Sequence, residues 1–204
     1  YGPCRQVDER SAAVVFAGIF LTVVLSLLSR LLLLSHLQVE AALQDATAAH
    51  VKMVEKEEEI RYMAHHDPLT GLPNRALFID RAGQALALAW RNSQPMAILF
   101  LDLDRFKPIN DQYGHDAGDA VLRTIGKRLQ SMLRASDTVC RQGGDEFVVL
   151  LPDFKQREDL ENLAYKLRAA IEEPCEVDGN LLQVSVSIGI AMYPEHGESV
   201  EMLI

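Results

Sequence analysis

The chain has 204 residues, 49 % of them hydrophobic, enough for one core of ordinary size with extra elements and too few for two large domains. Its formal charge is -9, from 29 acidic residues against 20 Lys+Arg, so it lacks the basic footprint of a protein that grips a nucleic-acid polymer. Cys4, Cys140 and Cys175 are too few and too scattered for a disulfide framework or a paired Cys/His zinc site, and a reducing compartment fits them.

The opening "YGPC" has no initiator Met and the closing "SVEMLI" reads as the start of a helix, so both ends are expected to be cut from a longer protein. From Ala12 to Leu34 the run "AAVVFAGIFLTVVLSLLSRLLLL" is apolar except for small hydroxyls and Arg30, and about 20 such residues cross a bilayer as a helix. A transmembrane helix over about residues 12–34 is therefore expected, within an N-terminal segment of residues 1–37. A cleaved signal peptide fits less well, because the apolar run is too long and no small-residue cleavage site precedes Gln38. Arg30 lies near one end, where its side chain can snorkel to the headgroups. Arg5 and Arg10 on one side, and a delayed Lys52, Lys56 and Arg61 on the other, leave the positive-inside rule undecided.

Residues 38–66 contain no Gly or Pro and are rich in Ala, Glu and Lys, which predicts one continuous helix. Val39, Leu43, Ala46, His50, Met53, Glu57, Ile60 and Ala64 alternate spacings of four and three, as the seam of a two-stranded coiled coil does, although His50 and Glu57 weaken it. Two readings stay open, a dimerising signalling helix and a solvated linker helix.

Residues 67–204 read as a domain of strands and helices. Asp67 to Asn74, broken by Pro68, Gly71 and Pro73, is a turn-rich lead-in loop, and a helix is expected from Ala76 to Trp90. Met96 to Asp102 is a buried strand that ends in acids. Val121, Leu122, Ile125, Leu129, Met132 and Leu133 mark one face of the next helix. "DTVCRQ" and "FVVLLP" are strands of a hairpin whose tip is Gly143, Gly144, Asp145 and Glu146, since Gly-Gly accepts the positive φ values of tight turns. A helix over "EDLENLAYKLRAAIEE" follows, and "LLQVSVSIGIAMYP" reads as one last long strand with Val184, Val186 and Ile188 on one face. The fold class is α+β, a mostly antiparallel sheet flanked by helices.

The end of the central strand and the hairpin tip are two separate segments that can bring Asp102, Asp145 and Glu146 to one edge of the sheet. Carboxylates in such a place suit Mg²⁺, which takes one or two of them and fills its other positions with water and substrate phosphates. Glycines beside them let the backbone approach a phosphate. Solvated turn residues are the competing reading of the same acids.

"RQGGDEF" at Arg141 to Phe147, "FLDLDRFKPINDQYGHDAGD" at Phe100 to Asp119, "DPLTGLPNR" at Asp67 to Arg75 and "VSIGIAMYP" at Val186 to Pro194 together resemble the GGDEF family, the diguanylate cyclases. The resemblance implies a fold like that of adenylate-cyclase cores and polymerase palms. It implies a reaction that joins two GTP into cyclic di-GMP and releases two pyrophosphates, with Mg²⁺ or Mn²⁺ as cofactor. By the same resemblance Asp102, Asp145 and the carbonyl of Leu103 hold the metal, and Glu146 or Asp145 takes the proton of the attacking 3′-hydroxyl. Lys107 neutralises growing phosphate charge, and the backbone at Arg105, Phe106, Gly143 and Gly144 surrounds the phosphates. Asn110 and Asp119 read guanine, while His115 either touches the nucleotide or is a structural turn histidine. Arg134 and Asp137 form an RxxD site for inhibitory product, with a helix-end salt bridge as the alternative.

Asp104 and Asp111 are expected to support loops, Cys140 to be packed, and Phe147, Val148 and Val149 to be core. Gln142 departs mildly from the family pattern. The resemblance implies a last helix that brings a Lys and an Arg to the terminal phosphates of GTP, and it is expected beyond Ile204. Two GTP molecules must face one another, so a homodimer is implied. The need for GTP puts residues 67–204 in the cytoplasm, beneath an inner-membrane anchor. A non-catalytic sensor of GTP or cyclic di-GMP, regulating an attached phosphodiesterase or other partner, is the alternative function.

Overall fold

A computed structural model of the chain describes residues 4–204, without the side chains of residues 4–11 and 41–42, so the expectations for Cys4, Arg5 and Arg10 lie outside the described side chains. The chain divides into two units, Tyr1–Glu58 and Glu59–Ile204. Helix α1, Cys4–His65, forms the described part of the first and ends within the second, running without interruption through both the apolar stretch and the Ala/Glu/Lys-rich one. From Ala12 onward the helix is long and apolar enough to cross a membrane by length and composition, its most apolar 18 residues having a mean hydropathy of 2.5 and none of them buried among the described residues. Val39, Leu43 and Met53 of the seam are likewise exposed.

The second unit holds a four-stranded sheet in the order β2-β3-β1-β6, every pairing antiparallel. Its strands are β1 Met96–Asp104, β2 Thr138–Gly143, β3 Glu146–Leu151 and β6 Ser185–Tyr193. Helix α2, Arg75–Asn92, starts at Asn74, whose side chain accepts the Leu77 amide, and it covers one face of the sheet. Phe78, Ala82, Ala85 and Ala89 pack there against Met96, Ile98, Cys140, Val148 and Leu150. Helices α4, His115–Met132, and α5, Arg157–Glu172, cover the other face, where Leu99, Leu101, Leu103, Phe147 and Val149 meet Val121, Ile125, Leu129, Leu160 and Leu167. The division follows the alternation of side chains along each strand. β1 is a near-continuous apolar run because it lies between two neighbours under both layers, and it turns polar only at Asp102, which is exposed.

The structure departs from the sequence reading in two places. The expected last long strand is broken: Asn180–Leu182 (β5) pairs with Cys175–Val177 (β4) in a separate hairpin, and β6 starts at Ser185. The cause is the Asp178-Gly179 turn, with φ of 49° and 77°, the two left-handed residues that a two-residue hairpin demands. The second departure is a helix, α3 (Phe106–Tyr113), where only phosphate-cradling backbone was expected; Pro108 sits in its first turn, where a missing N–H costs nothing. The closing segment does form a short helix, α6, Val200–Leu203.

Arg128 of α4 ties the two helices of its layer together. Its guanidinium donates to the carbonyls of Ala170, Glu173 and Pro174 at 3.1, 2.6 and 2.9 Å, satisfying acceptors that the end of α5 leaves unpaired. Arg128→Met should therefore lower the stability of this unit by about 2 kcal/mol, seen as a lower urea midpoint with an unchanged slope.

Candidate active site

β1 ends among acids, and the chain then reverses at Arg105, whose φ of 56° is left-handed, to enter α3. That conformation costs a residue with a Cβ about 1 kcal/mol, so the turn is held by its surroundings. Next to it stands the β2–β3 hairpin, with Gly144 at φ 56° and Gly143 at φ 149°. Gln142 is bulged out of the ladder, and Asp102 of β1 lies opposite Glu146 of β3. The amide of Leu103 donates to the carbonyl of Asp145 at 3.4 Å, which fixes the tip against the strand end. Asp102, Leu103, Asp104, Arg105, Phe106, Lys107, Asp145 and Ser185 line one open cleft of ≈ 600 Å³.

The hairpin tip is fixed from behind by one side chain. Nη1 of Arg141 donates to both oxygens of Asp67 at 2.9 and 3.0 Å, while its Nε and Nη2 donate to the carbonyl of Gly144 at 3.0 and 2.8 Å. The two charged side chains are 11 % and 15 % exposed, so the pair is largely dry. Asp67 also accepts from the amide and hydroxyl of Thr70, at 2.9 and 2.6 Å. Burial pushes the Asp67 carboxyl up, but the bonds from Thr70 and Arg141 together outweigh burial and hold it below the ordinary carboxylate value. Cys140, next in sequence, is pushed up to about 12 by burial and by the charge of Asp67, so it is a packed thiol rather than a reactive one.

Asp104 was expected to support a loop, but it joins two strands instead. Its carboxylate accepts from the hydroxyls of Ser187 and Ser185 at 2.7 and 2.9 Å, and these bonds lower its pKa. With both oxygens engaged, Asp104 differs from Asp102, which is exposed at the cleft. Asn110, His115 and Asp119 do not line the cleft with the acids; they stand on α3 and α4, on either side of Gly114. Asn110 is half-buried against α4, His115 is exposed, and Asp119 lies 3.8 Å from Arg123 one turn on. At the RxxD stretch the expected alternative, a salt bridge, is not the arrangement: Asp137 accepts from the backbone amide of Arg134 at 3.0 Å and from Ser136. Sequence reasoning missed Ser185, Ser187 and the Asp67–Arg141 pair. The alternating polar positions of "SVS" at the start of β6 were a usable signal for the serines, whereas nothing local announces a pair 74 residues apart.

The donors fit a hard divalent cation. Two carboxylates, Asp102 and Asp145, reach one cleft with the main chain of Leu103 between them, and Lys107 stands at its rim. Among the described residues no group of three or more His, Cys, Asp or Glu side chains is arranged for a metal. This is compatible with Mg²⁺, whose remaining ligands are water and phosphate oxygens.

Comparison with known proteins adds a decisive finding: residues 64–204 match the family described as diguanylate cyclase, GGDEF domain. The chain belongs to the GGDEF family. It is 41 % identical over 165 residues to the diguanylate cyclase TpbB of Pseudomonas aeruginosa, covering 80 % of this chain and 38 % of that protein, so it spans well under half of that relative. The GGDEF domain of TpbB, as a solved structure, superposes with a TM-score of 0.66 at 46 % identity, over 68 % of this chain and 81 % of that one. The coiled coil and GGDEF domain of DgcB from Caulobacter crescentus, solved in complex with c-di-GMP, gives a TM-score of 0.67 at 27 % identity, over 78 % and 86 % of the two chains. The α+β GGDEF fold expected from the motifs is the fold observed.

Asp67→Asn should destabilise this unit by about 3 kcal/mol at pH 7, because it leaves the Arg141 charge largely buried without its partner. Since folding depresses the Asp67 pKa, its contribution is complete above the unfolded carboxylate value of about 3.9 and is lost as pH falls toward the folded value. Thermal unfolding measured between neutral and acid pH should show that loss in the native chain and a flatter profile in the variant.

Proposed function

We propose that the chain is part of a diguanylate cyclase that condenses two GTP into cyclic di-GMP and two pyrophosphates. The observation that carries this reading is the convergence of Asp102 and Asp145, from segments more than 40 positions apart, on one cleft that Lys107 also lines. Asp102, Asp145 and the carbonyl of Leu103 would hold Mg²⁺ or Mn²⁺. Bound there, the ion would neutralise phosphate charge and align the attacking oxygen with the α-phosphorus. Glu146, exposed and opposite Asp102 in the ladder, is the tip acid free to take the 3′-hydroxyl proton while Asp145 faces the cleft. The 3′-oxygen of one GTP bonds to the α-phosphorus of the other as pyrophosphate leaves, and the reciprocal step closes the ring.

Lys107 balances charge that grows on the phosphates, and the amides at the Arg105–Phe106 turn, with Gly143 and Gly144 at the tip, allow close phosphate approach. Asn110 and Asp119 recognise guanine, and His115 borders that site. A single domain offers one nucleotide, so two domains must face each other as a homodimer to bring both reacting pairs together. The chain is arranged as an N-terminal segment of residues 1–37 with a membrane span at about 12–34, a linker helix of residues 38–66 that pairs in the dimer, and the GGDEF domain of residues 67–204. GTP places that domain in the cytoplasm, beneath the inner membrane. Cyclic di-GMP binds back at Arg134 and Asp137 as an inhibitor; among the described residues no hydrogen bond or ion pair engages the Arg134 guanidinium.

The test is incubation of the full chain with GTP and Mg²⁺ followed by nucleotide chromatography. Cyclic di-GMP should form, and Asp102→Asn or Asp145→Asn should each reduce its rate by on the order of 100-fold or more. Tight GTP binding by the native chain with no cyclic product would instead identify a sensor.

A further inference from the structure

Gly118 is a buried glycine in the second turn of α4, directly beneath α3. A Cβ placed on it would fall 1.9 Å from Oδ1 of Asn110, 3.0 Å from Cγ of the same side chain and 3.1 Å from Cζ of Phe106. The first distance is one that no real side chain tolerates. Phe106 and Asn110 are four residues apart, on the same face of α3, and both rest on the bare backbone that Gly118 offers. Among the described residues no group hydrogen-bonds the Asn110 carboxamide, while its backbone carbonyl accepts from the Gly114 amide at 2.9 Å. What orients the side chain is therefore the contact with Gly118.

We infer that Gly118 is a positioning residue for base recognition: by admitting the Asn110 carboxamide onto the surface of α4 it holds that amide in the orientation that selects guanine. The inference rests on the proposed role of Asn110 as a guanine reader. With Oδ1 seated on Gly118, the outer end of the carboxamide is Nδ2, and the O6 and N7 edge of guanine consists of two acceptors that need a donor. A methyl group at position 118 displaces the amide and removes that donor from register. Phe106 is 6 % exposed and anchored in the core, whereas Asn110 is a half-buried short side chain that no hydrogen bond ties down among the described residues, so the displacement falls on Asn110. The fold has little reason to fail, because alanine is the better helix former at an interior position.

The other glycine of α4 supplies a control. A Cβ placed on Gly126 would lie 3.2 Å from Leu72 and 3.5 Å from Thr70, in the lead-in loop and away from Asn110.

The experiment measures binding of 3′-deoxy-GTP and 3′-deoxy-ATP, which lack the attacking hydroxyl, to the full chain with Mg²⁺. The native chain, Gly118→Ala, Asn110→Ala, the double variant and Gly126→Ala are compared, with unfolding midpoints recorded for each. Gly118→Ala is expected to cut the guanine-over-adenine affinity ratio about 10-fold or more, with its unfolding midpoint unreduced. In the Asn110→Ala background it should have no further effect on the ratio, because the amide it displaces is gone. Gly126→Ala should keep the native ratio. If the native chain shows no guanine preference, or Asn110→Ala leaves it intact, the reading of Asn110 itself fails. If Asn110→Ala lowers the ratio while Gly118→Ala does not, or if the two effects add, the positioning role of Gly118 is overturned.

Discussion

The guanidinium of Arg141 holds a carboxylate with one edge and a hairpin carbonyl with the other, and the geometry of the cleft depends on that double contact. Asp67 belongs to the loop that leads into the domain, and Gly144 belongs to the tip that carries Asp145. A tight turn of two glycines and two acids would be mobile if left in water. Bound from behind by a planar group in a nearly dry site, it is placed as firmly as the sheet. Arg is suited to this task in a way that Lys is not, since one rigid fork must satisfy two acceptors on different sides.

The same loop is tied in the opposite direction to the end of α1. Asn74 donates its side-chain amide to the Ala64 carbonyl at 3.0 Å and its backbone amide to the His65 carbonyl at 2.9 Å, and the Tyr62 hydroxyl bonds the Gly71 carbonyl at 3.2 Å. Hydrogen bonds thus run without a gap from the last turns of that helix, through the lead-in loop and Arg141, to the hairpin tip. On the other flank Asp104 binds Ser185 and Ser187, so β6 braces the end of β1 from the side that the hairpin leaves open. Asp145 is thus placed through Arg141, and the strand end that carries Asp102 is braced by the Asp104–serine bonds.

Much of this could be read in the sequence wherever chemistry and periodicity were local. The apolar run that ends in Asp102, the GGDE tip between two strands and the one-faced helices all appear where residue order placed them, because each rests on a local pattern: an unbroken apolar run, a Gly-Gly turn or a repeat of 3.6. The break in the last strand was hidden because Leu181, Leu182, Gln183 and Val184 sustain a strand-like pattern straight through it. The signal that should have prevailed was Asp178-Gly179, a pair that turns the chain into a hairpin on its own. Helix α3 was hidden by Pro108, which breaks helices in their interior and is tolerated in the first turn. Among residues lining the cleft, Asp102 and Asp145 were legible from their spacing and Lys107 from the family resemblance. Arg141 with Asp67, and Gly118 beneath Asn110, were not, because each relation is a contact between side chains or backbones that only the packed layers bring together.

The central claim is that carboxylates from β1 and from the hairpin tip share one divalent cation with bound GTP. The most direct measurement is electron paramagnetic resonance of Mn²⁺ in the presence of GTP, on the full chain labelled with ¹³C at the aspartate carboxyl groups. The account predicts hyperfine couplings from two aspartates, one lost in Asp102→Asn and the other in Asp145→Asn. An ion that coordinates GTP with no aspartate coupling, or with couplings that survive both replacements, would contradict it.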